Sequence, residues 1–300
     1  MPESPSRAGP PVRTVDTMIL VTGATGTIGG EVVRRLAARG EKVRALSRDP
    51  AKVGPAPGVE PVRGDYRDHG SLAAAMSGVT AAFLVGVPGP DAEHDQDLVA
   101  AARAAGVRRL VKLSAIATGD PEVGPAGRHH VVGERAVVDS GADWTLLRPS
   151  AFASNTLSWA GEIRAGKQVP NLTGDGLQGV VDPRDVSEVA VRVLVEEGHT
   201  GRTYTLTGPE TISVPGQAAV LAEVLGLPVG VGELSPEQVR AHVRGWGVGE
   251  EAAEGFLTAF AFVRRGGNAV VTDDVPELLG RRARDYRQWA EEHRQAFTGG

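Results

Sequence analysis

Val21-Thr22-Gly23-Ala24-Thr25-Gly26-Thr27-Ile28-Gly29 decides the fold. The apolar run before it, Met18 to Val21, has the length of a short buried strand. After it, Ile28, Val32, Leu36 and Ala37 recur at helical spacing up to Gly40, a C-terminal cap. A strand that turns through glycines into a helix is the context a dinucleotide-binding loop requires. Gly23 permits the tight turn, Gly26 has no side chain to hold a pyrophosphate off the backbone, and Gly29 lets the helix pack closely. Thr25 sits between the first two glycines. The amides of Thr27 and Ile28, with the helix dipole, favour a phosphate anion. The spacing is G-x-x-G-x-x-G, not the G-x-G-x-x-G of many NAD dehydrogenases.

Outward from the loop, short strands alternate with helices. Strands are expected at 42–46, 59–62, 81–87, 107–113 and 144–147, and helices at 71–76, 91–105 and 130–139. Consecutive parallel strands need crossover helices, so the pattern predicts an α/β fold of Rossmann type, a doubly wound parallel sheet over residues 18–150. After Pro149 the rhythm becomes mostly helical: 155–165, 185–196, 214–225, 236–244, 250–264 and 284–295, with a short strand at 203–206. Residues 151–300 are therefore expected to form mainly a smaller C-terminal α/β substrate lobe, with two segments returning to the first sheet. Ligands of such sheets bind at the carboxyl edge of the strands.

The composition agrees. At 300 residues, 41% hydrophobic and 23% charged, the chain is long enough for a sizeable core. With Cys 0, thiol nucleophiles, disulfides and cysteine-based metal sites are excluded, and no metal site is expected. A net charge of −5 argues against nucleic acid as a partner. No apolar stretch reaches the roughly 18 residues of a membrane span. Residues 1–17 have neither an apolar signal core nor folding potential and read as a disordered tail, with Met18 a second candidate start. The expected setting is cytoplasmic and the expected partner a small molecule; monomer and homodimer remain equally open.

The second strand ends in Ser47-Arg48, where an NAD-preferring site carries an acid for the ribose 2′-OH. A guanidinium suits a 2′-phosphate instead, so NADP(H) is expected over NAD(H), with Arg44 and Arg63 as possible helpers. A solvated arginine beside Asp49 is the bland alternative. Asp65 and Tyr66, after the third strand, suit the adenine; equally, Asp65 suits a turn cap.

Taken together these features resemble the NmrA-like branch of the atypical short-chain dehydrogenase/reductase superfamily, which includes quinone and triarylmethane-dye reductases. The resemblance spans nearly all of 18–297. It rests on VTGATGTIG at Val21–Gly29, Arg48, GDY at Gly64–Tyr66 and LVKLSA at Leu110–Ala115. It continues through the Glu134 helix into SGADWTLLRP at Ser140–Pro149, EEGHTGRTYTLTGP at Glu196–Pro209 and TDDVPELLG at Thr272–Gly280. It implies an NADP(H)-binding Rossmann domain, with Val85, Gly86 and Val87 passing the cofactor ribose and Pro149 and Phe152 the nicotinamide. It also implies Phe152 and Asn155 in a substrate cleft, where Trp159 is either wall or core.

The chain departs from the wider superfamily in its acid. A Y-x-x-x-K dyad closing on Glu134 would need Tyr at Ala126 and Lys at His130. The three tyrosines, Tyr66, Tyr204 and Tyr286, are followed four residues on by Gly70, Gly208 and Ala290. Reducing an isolated ketone makes an alkoxide, for which a positioned acid contributes about 10²–10⁴-fold. A quinone, a dye cation or another conjugated acceptor delocalises the charge, so positioning can suffice. The expectation is NADPH-dependent hydride transfer to such an acceptor. A non-catalytic NADP(H) sensor and an epimerase or reductase of specialised metabolism are the alternatives. His130 is the residue placed to bond the ribose or donate a proton, with Glu134 one turn on to orient it; a solvated helix His–Glu pair is the plainer reading. Ser114 ends the fifth strand, facing nicotinamide or substrate. Asp182 and Asp185 are read as helix-starting residues without chemistry, and Phe256, Phe260, Phe262 and Trp246 as pocket or core.

Overall fold

A computed structural model describes residues 17–86, 93–128 and 130–299. Residues 1–16 of the tail expected at 1–17, and Val87, lie outside the described residues. Within them run nine strands: β1 (Met18–Val21), β2 (Lys42–Ser47), β3 (Val59–Arg63), β4 (Ala81–Val85), β5 (Arg109–Leu113), β6 (Asp143–Pro149), β7 (Val169–Asn171), β8 (Arg202–Leu206) and β9 (Val231–Glu233). Seven form one sheet in the order β3-β2-β1-β4-β5-β6-β8, every neighbouring pair parallel. This is the Rossmann-type order, with the reversal between β1 and β4, where the glycine loop leaves the sheet.

Period-two alternation divides the core between the two faces. Ile19, Val21, Phe83, Val111 and Leu147 face one cluster; Leu20, Ala82, Leu84, Leu110 and Leu146 face the other. On the first face, α1 (Thr27–Ala38) buries Ile28, Val32, Val33 and Leu36. The second face is covered by α2 (His69–Met76), α3 (Glu93–Ala104) and, beyond the short α4 (Pro125–Arg128), α5 (Val131–Val138).

The chain then builds α6 (Ala160–Arg164) and returns: α7 (Pro183–Val195) packs on α1, and β8 adds the seventh strand. Asp182 caps α7 by accepting from the Arg184 amide, with Pro183 in the first turn. Asp185 does something the sequence reading missed. Fully buried, it accepts from Arg281, from the Arg284 guanidinium and from the Arg284 amide at 2.7 Å, tying the C-terminal segment to α7.

A third core gathers Trp159, Ile163, Leu221, Leu225, Tyr286, Trp289 and Phe297 from α6, α8 (Val214–Leu225), and the C-terminal helices. A fourth, smaller one joins α9 (Pro236–Arg244) and α10 (Glu250–Arg264). After α11 (Asp274–Leu279), the helix expected at 284–295 is two helices, α12 (Tyr286–Glu292) and α13 (Arg294–Thr298), divided at His293, whose ring lies 2.7 Å from the Trp289 carbonyl. The helix expected at 155–165 is instead a 3₁₀ segment, Ala153–Trp159, leading into α6. Thr156 and Ser158 donate their hydroxyls three residues back, to Ala153 and Asn155, competing with the α-helical ladder. The parallel pair β7–β9 is three residues long on each side, too short for sequence periodicity to reveal.

Candidate active site

The glycine loop has the geometry its sequence requires. Gly23 has φ +61°, and its carbonyl accepts the Gly26 amide at 2.9 Å. A Cβ on Gly29 would overlap that same carbonyl, so helix and loop meet backbone to backbone only because Gly29 has no side chain. Gly26 is the N-cap of α1 and supplies no side-chain cap; no acidic residue occupies the first turn. The N-terminal amides of a 12-residue helix are thus left for an anion, with Thr25 and Thr27 exposed beside them and Ile28 buried below. These features fit a dinucleotide pyrophosphate. Thr22 locks the loop to β4: its Oγ1 accepts the Val85 amide at 2.7 Å.

Beyond the loop, Gly23, Thr25, Ser47, Arg48, Asp65, Tyr66 and Arg67 line a cleft of about 320 Å³. No carboxylate closes the end of β2. Ser47 Oγ bonds within its own turn, and Asp49 caps Ala51 and pairs with Lys52, so Arg48 is exposed on the cleft without an ion-pair partner among the described residues. Arg44 is not a helper: Glu60 and the carbonyls of Ala75 and Ser77 occupy its guanidinium. Arg63 is not among the residues lining this cleft; Arg67 is. Asp65 spends one oxygen on the Arg67 amide, the turn-cap role. Tyr66 donates its hydroxyl to the Val85 carbonyl at 2.8 Å, and burial pushes its phenol above the ordinary tyrosine range. It is a wall of the cleft, already committed as a donor.

Gly86 is required by its neighbour: a Cβ there, or on Gly133, would overlap the Asp95 carboxylate. Asp95 holds Lys112, 1% exposed, at 2.5 Å, pinning α3 to β5 beside Gly86. A lysine amid the apolar LVKL run was the sequence signal for this buried pair.

The strand ends Ser114, Pro149 and Phe152 open onto a second, larger cleft of about 790 Å³. His130 lines it from the turn into α5, and Asn155 and Trp159 line its far side; Trp159 also belongs to the third core. Glu134 does not line it. Its carboxylate has partners that were not expected: Arg148 grips the buried group at 2.9 and 2.5 Å, and Ser114 Oγ donates to it at 2.5 Å. This hydrogen bonding raises the Arg148 pKa above its usual value. Glu134 is thus a support beneath Ser114, joining α5, β5 and β6. Between Ser114 and His130, Ala117 has φ +58°, a conformation that favours glycine, held by the Thr118 hydroxyl bonding the Ala115 carbonyl at 2.7 Å.

The remaining wall comes from distant segments. Trp246, 44% exposed, meets Phe256 and Phe260 edge-to-face with ring centroids 5.1 and 6.2 Å apart, and the two phenylalanines stack on each other at 6.3 Å. They are pocket wall, whereas Phe262, which also reaches the cleft, is buried. Thr173, Gln178 and Asn268 supply a polar floor that the sequence reading missed, since no motif marks them.

A family model described as NAD(P)H-binding matches residues 23–197. A (4-alkanoyl-5-oxo-2,5-dihydrofuran-3-yl)methyl phosphate reductase of Streptomyces griseus is 45% identical over 283 residues, covering 94% of this chain and 99% of its own. An NAD(P)H azoreductase of Xenophilus azovorans is 35% identical, covering 93% and 99%. Among solved structures, the NADPH complex of an NADPH-dependent quinone oxidoreductase from Escherichia coli superposes with a TM-score of 0.81 at 26% identity, covering 92% and 99%.

Proposed function

The chain belongs to the NAD(P)H-binding family of oxidoreductases, and from that premise we propose that it reduces conjugated carbonyl compounds with NADPH, without a Tyr–Lys dyad. One observation carries the reading: an apolar, aromatic-walled cleft of about 790 Å³ reaches Val85, whose amide is held by Thr22 of the glycine loop, and no tyrosine lines it among the described residues. Residues 18–150 would hold the cofactor and 151–300 mainly the acceptor.

NADPH supplies hydride when bound. The glycine loop and α1 bind its pyrophosphate, and the exposed Arg48 guanidinium offers paired donors to a 2′-phosphate. Ser114, backed by Glu134 and Arg148, and His130 orient the reacting end. Phe152, Trp159, Trp246, Phe256 and Phe260 exclude water and hold the acceptor in place. The acceptor class follows the Streptomyces relative, whose name describes an oxo-dihydrofuran, a lactone conjugated with a carbon–carbon double bond. Hydride addition to such a bond yields a delocalised enolate, which has less need of an acid than an alkoxide.

The test is NADPH oxidation, followed at 340 nm, against conjugated lactones, quinones and azo dyes. Turnover with lactone or quinone, and a preference for NADPH over NADH, is the expected result. A protein that binds NADPH but consumes none across this panel would overturn the reading.

A further inference from the structure

The floor of the acceptor cleft contains donors with a consistent direction. Ser150 Oγ donates to Asn268 Oδ1 at 3.3 Å, and Asn268 Nδ2 donates to Gln178 Oε1 at 3.4 Å. This relay consumes the carbonyl of Gln178 and leaves its Nε2–H donors uncommitted among the described residues. Its backbone is fixed by two hydrogen bonds to Ile212, at 3.1 and 2.9 Å. Five residues earlier, Thr173 lines the same cleft. It is 5% exposed, and its hydroxyl has no hydrogen-bond partner among the described residues. Buried Asn171 holds this turn from both sides, accepting the Thr173 amide at 3.2 Å and donating to the Gly174 carbonyl at 3.2 Å. A buried hydroxyl left unpaired is costly, so an oxygen entering the cleft at Thr173 would gain a hydrogen bond.

We propose that Gln178 Nε2–H, oriented by Ser150 and Asn268, and the Thr173 hydroxyl bind the carbonyl oxygen of the acceptor and stabilise the negative charge that forms on it. This rests on the reductase reading above and narrows its substrate class to acceptors whose hydride adduct is an oxyanion: conjugated lactones, ketones and quinones. For a conjugated lactone, the β-carbon takes hydride, the double-bond pair shifts into the adjacent carbonyl, and the enolate oxygen rests on the two donors. A proton from solvent then completes the α-carbon, NADPH having become NADP⁺. Preorganised donors aimed at developing charge are an alternative to a proton-donating tyrosine. Asn268 and Ser150 are positioning residues.

Two readouts test this. Gln178→Met and Thr173→Val keep size and shape while removing the donors. Each should lower kcat for a conjugated lactone or quinone by roughly 100-fold, with the Kd for NADPH unchanged. Independently of turnover, the NADP⁺-loaded protein should bind 4-nitrophenolate, an oxyanion probe with its own visible spectrum. Each variant should weaken that binding about 10-fold. Folded variants with kcat and phenolate affinity both within twofold of the parent would overturn the proposal. If the parent protein reduces no acceptor, the reductase reading fails, while the phenolate titration still decides the role of the donors.

Discussion

Against the glycine loop itself, a ligand meets mainly backbone, supplied by one continuous stretch, 22–29. At the acceptor end it meets side chains drawn from segments scattered between Leu113 and Asn268. The first surface suits something invariant, a pyrophosphate, through amides and a helix dipole that the backbone itself supplies. On the proposed reading the second would recognise shape and one oxygen, through an aromatic wall that is partly exposed. Similar relatives that are named for a dihydrofuranone phosphate and for azo compounds fit that division: a fixed cofactor edge and a variable acceptor wall.

The contrast can be broken experimentally. The largest effect is expected at Gly29, where a Cβ would overlap the Gly23 carbonyl. Gly29→Ala should cost about 3 kcal/mol of stability and abolish NADPH binding. Gly26→Ala, whose Cβ would lie 3.3 Å from that carbonyl, should keep the parent Tm and lose affinity only. Calorimetric titration and thermal melts of both variants separate the roles; a Gly29→Ala protein that binds NADPH normally would break the backbone half of the comparison.

Next comes the support shared by both ends. Glu134→Ala leaves the Arg148 guanidinium and the Ser114 hydroxyl without their carboxylate, which should cost about 2 kcal/mol in urea unfolding. Because the carboxylate lies below the cleft, kcat should fall through misplaced Ser114, with the acceptor KM little changed. Arg48→Asp should weaken NADPH binding by about 10-fold, roughly 1.4 kcal/mol, while stability stays constant; an unaltered NADPH-to-NADH ratio would remove Arg48 from the 2′-phosphate. The smallest effect belongs to the exposed wall. Trp246→Ala should raise the acceptor KM about fivefold, roughly 1 kcal/mol, and leave both Tm and the NADPH Kd unmoved. A large loss of Tm would make Trp246 core instead of wall.

The same division explains what the sequence revealed. The loop, α1 and the six strands through β6 were legible because their signals are local: glycine spacing, apolar periodicity and alternation. Arg48 drew notice because it follows Ser47, which stands where an NAD-preferring site carries an acid. Arg148 as a partner of Glu134 was hidden, since His130 is its i−4 neighbour in sequence, whereas Arg148 meets it only once β6 lies beside β5. Gln178 and Thr173 were invisible. Their meaning comes from Asn268 and Asn171 across tertiary contacts, and neither sits in a repeated pattern. The break of 155–165 into a 3₁₀ segment was hidden because hydroxyl back-bonding competes with an otherwise helical spacing.

The most direct measurement of the central claim uses NADPH carrying deuterium at both C4 positions of the nicotinamide and a conjugated lactone as acceptor, with the product examined by NMR. The account predicts deuterium at the β-carbon of a saturated lactone, one equivalent for each NADPH consumed. NADPH binding at the glycine loop with no deuterium reaching the lactone would contradict it.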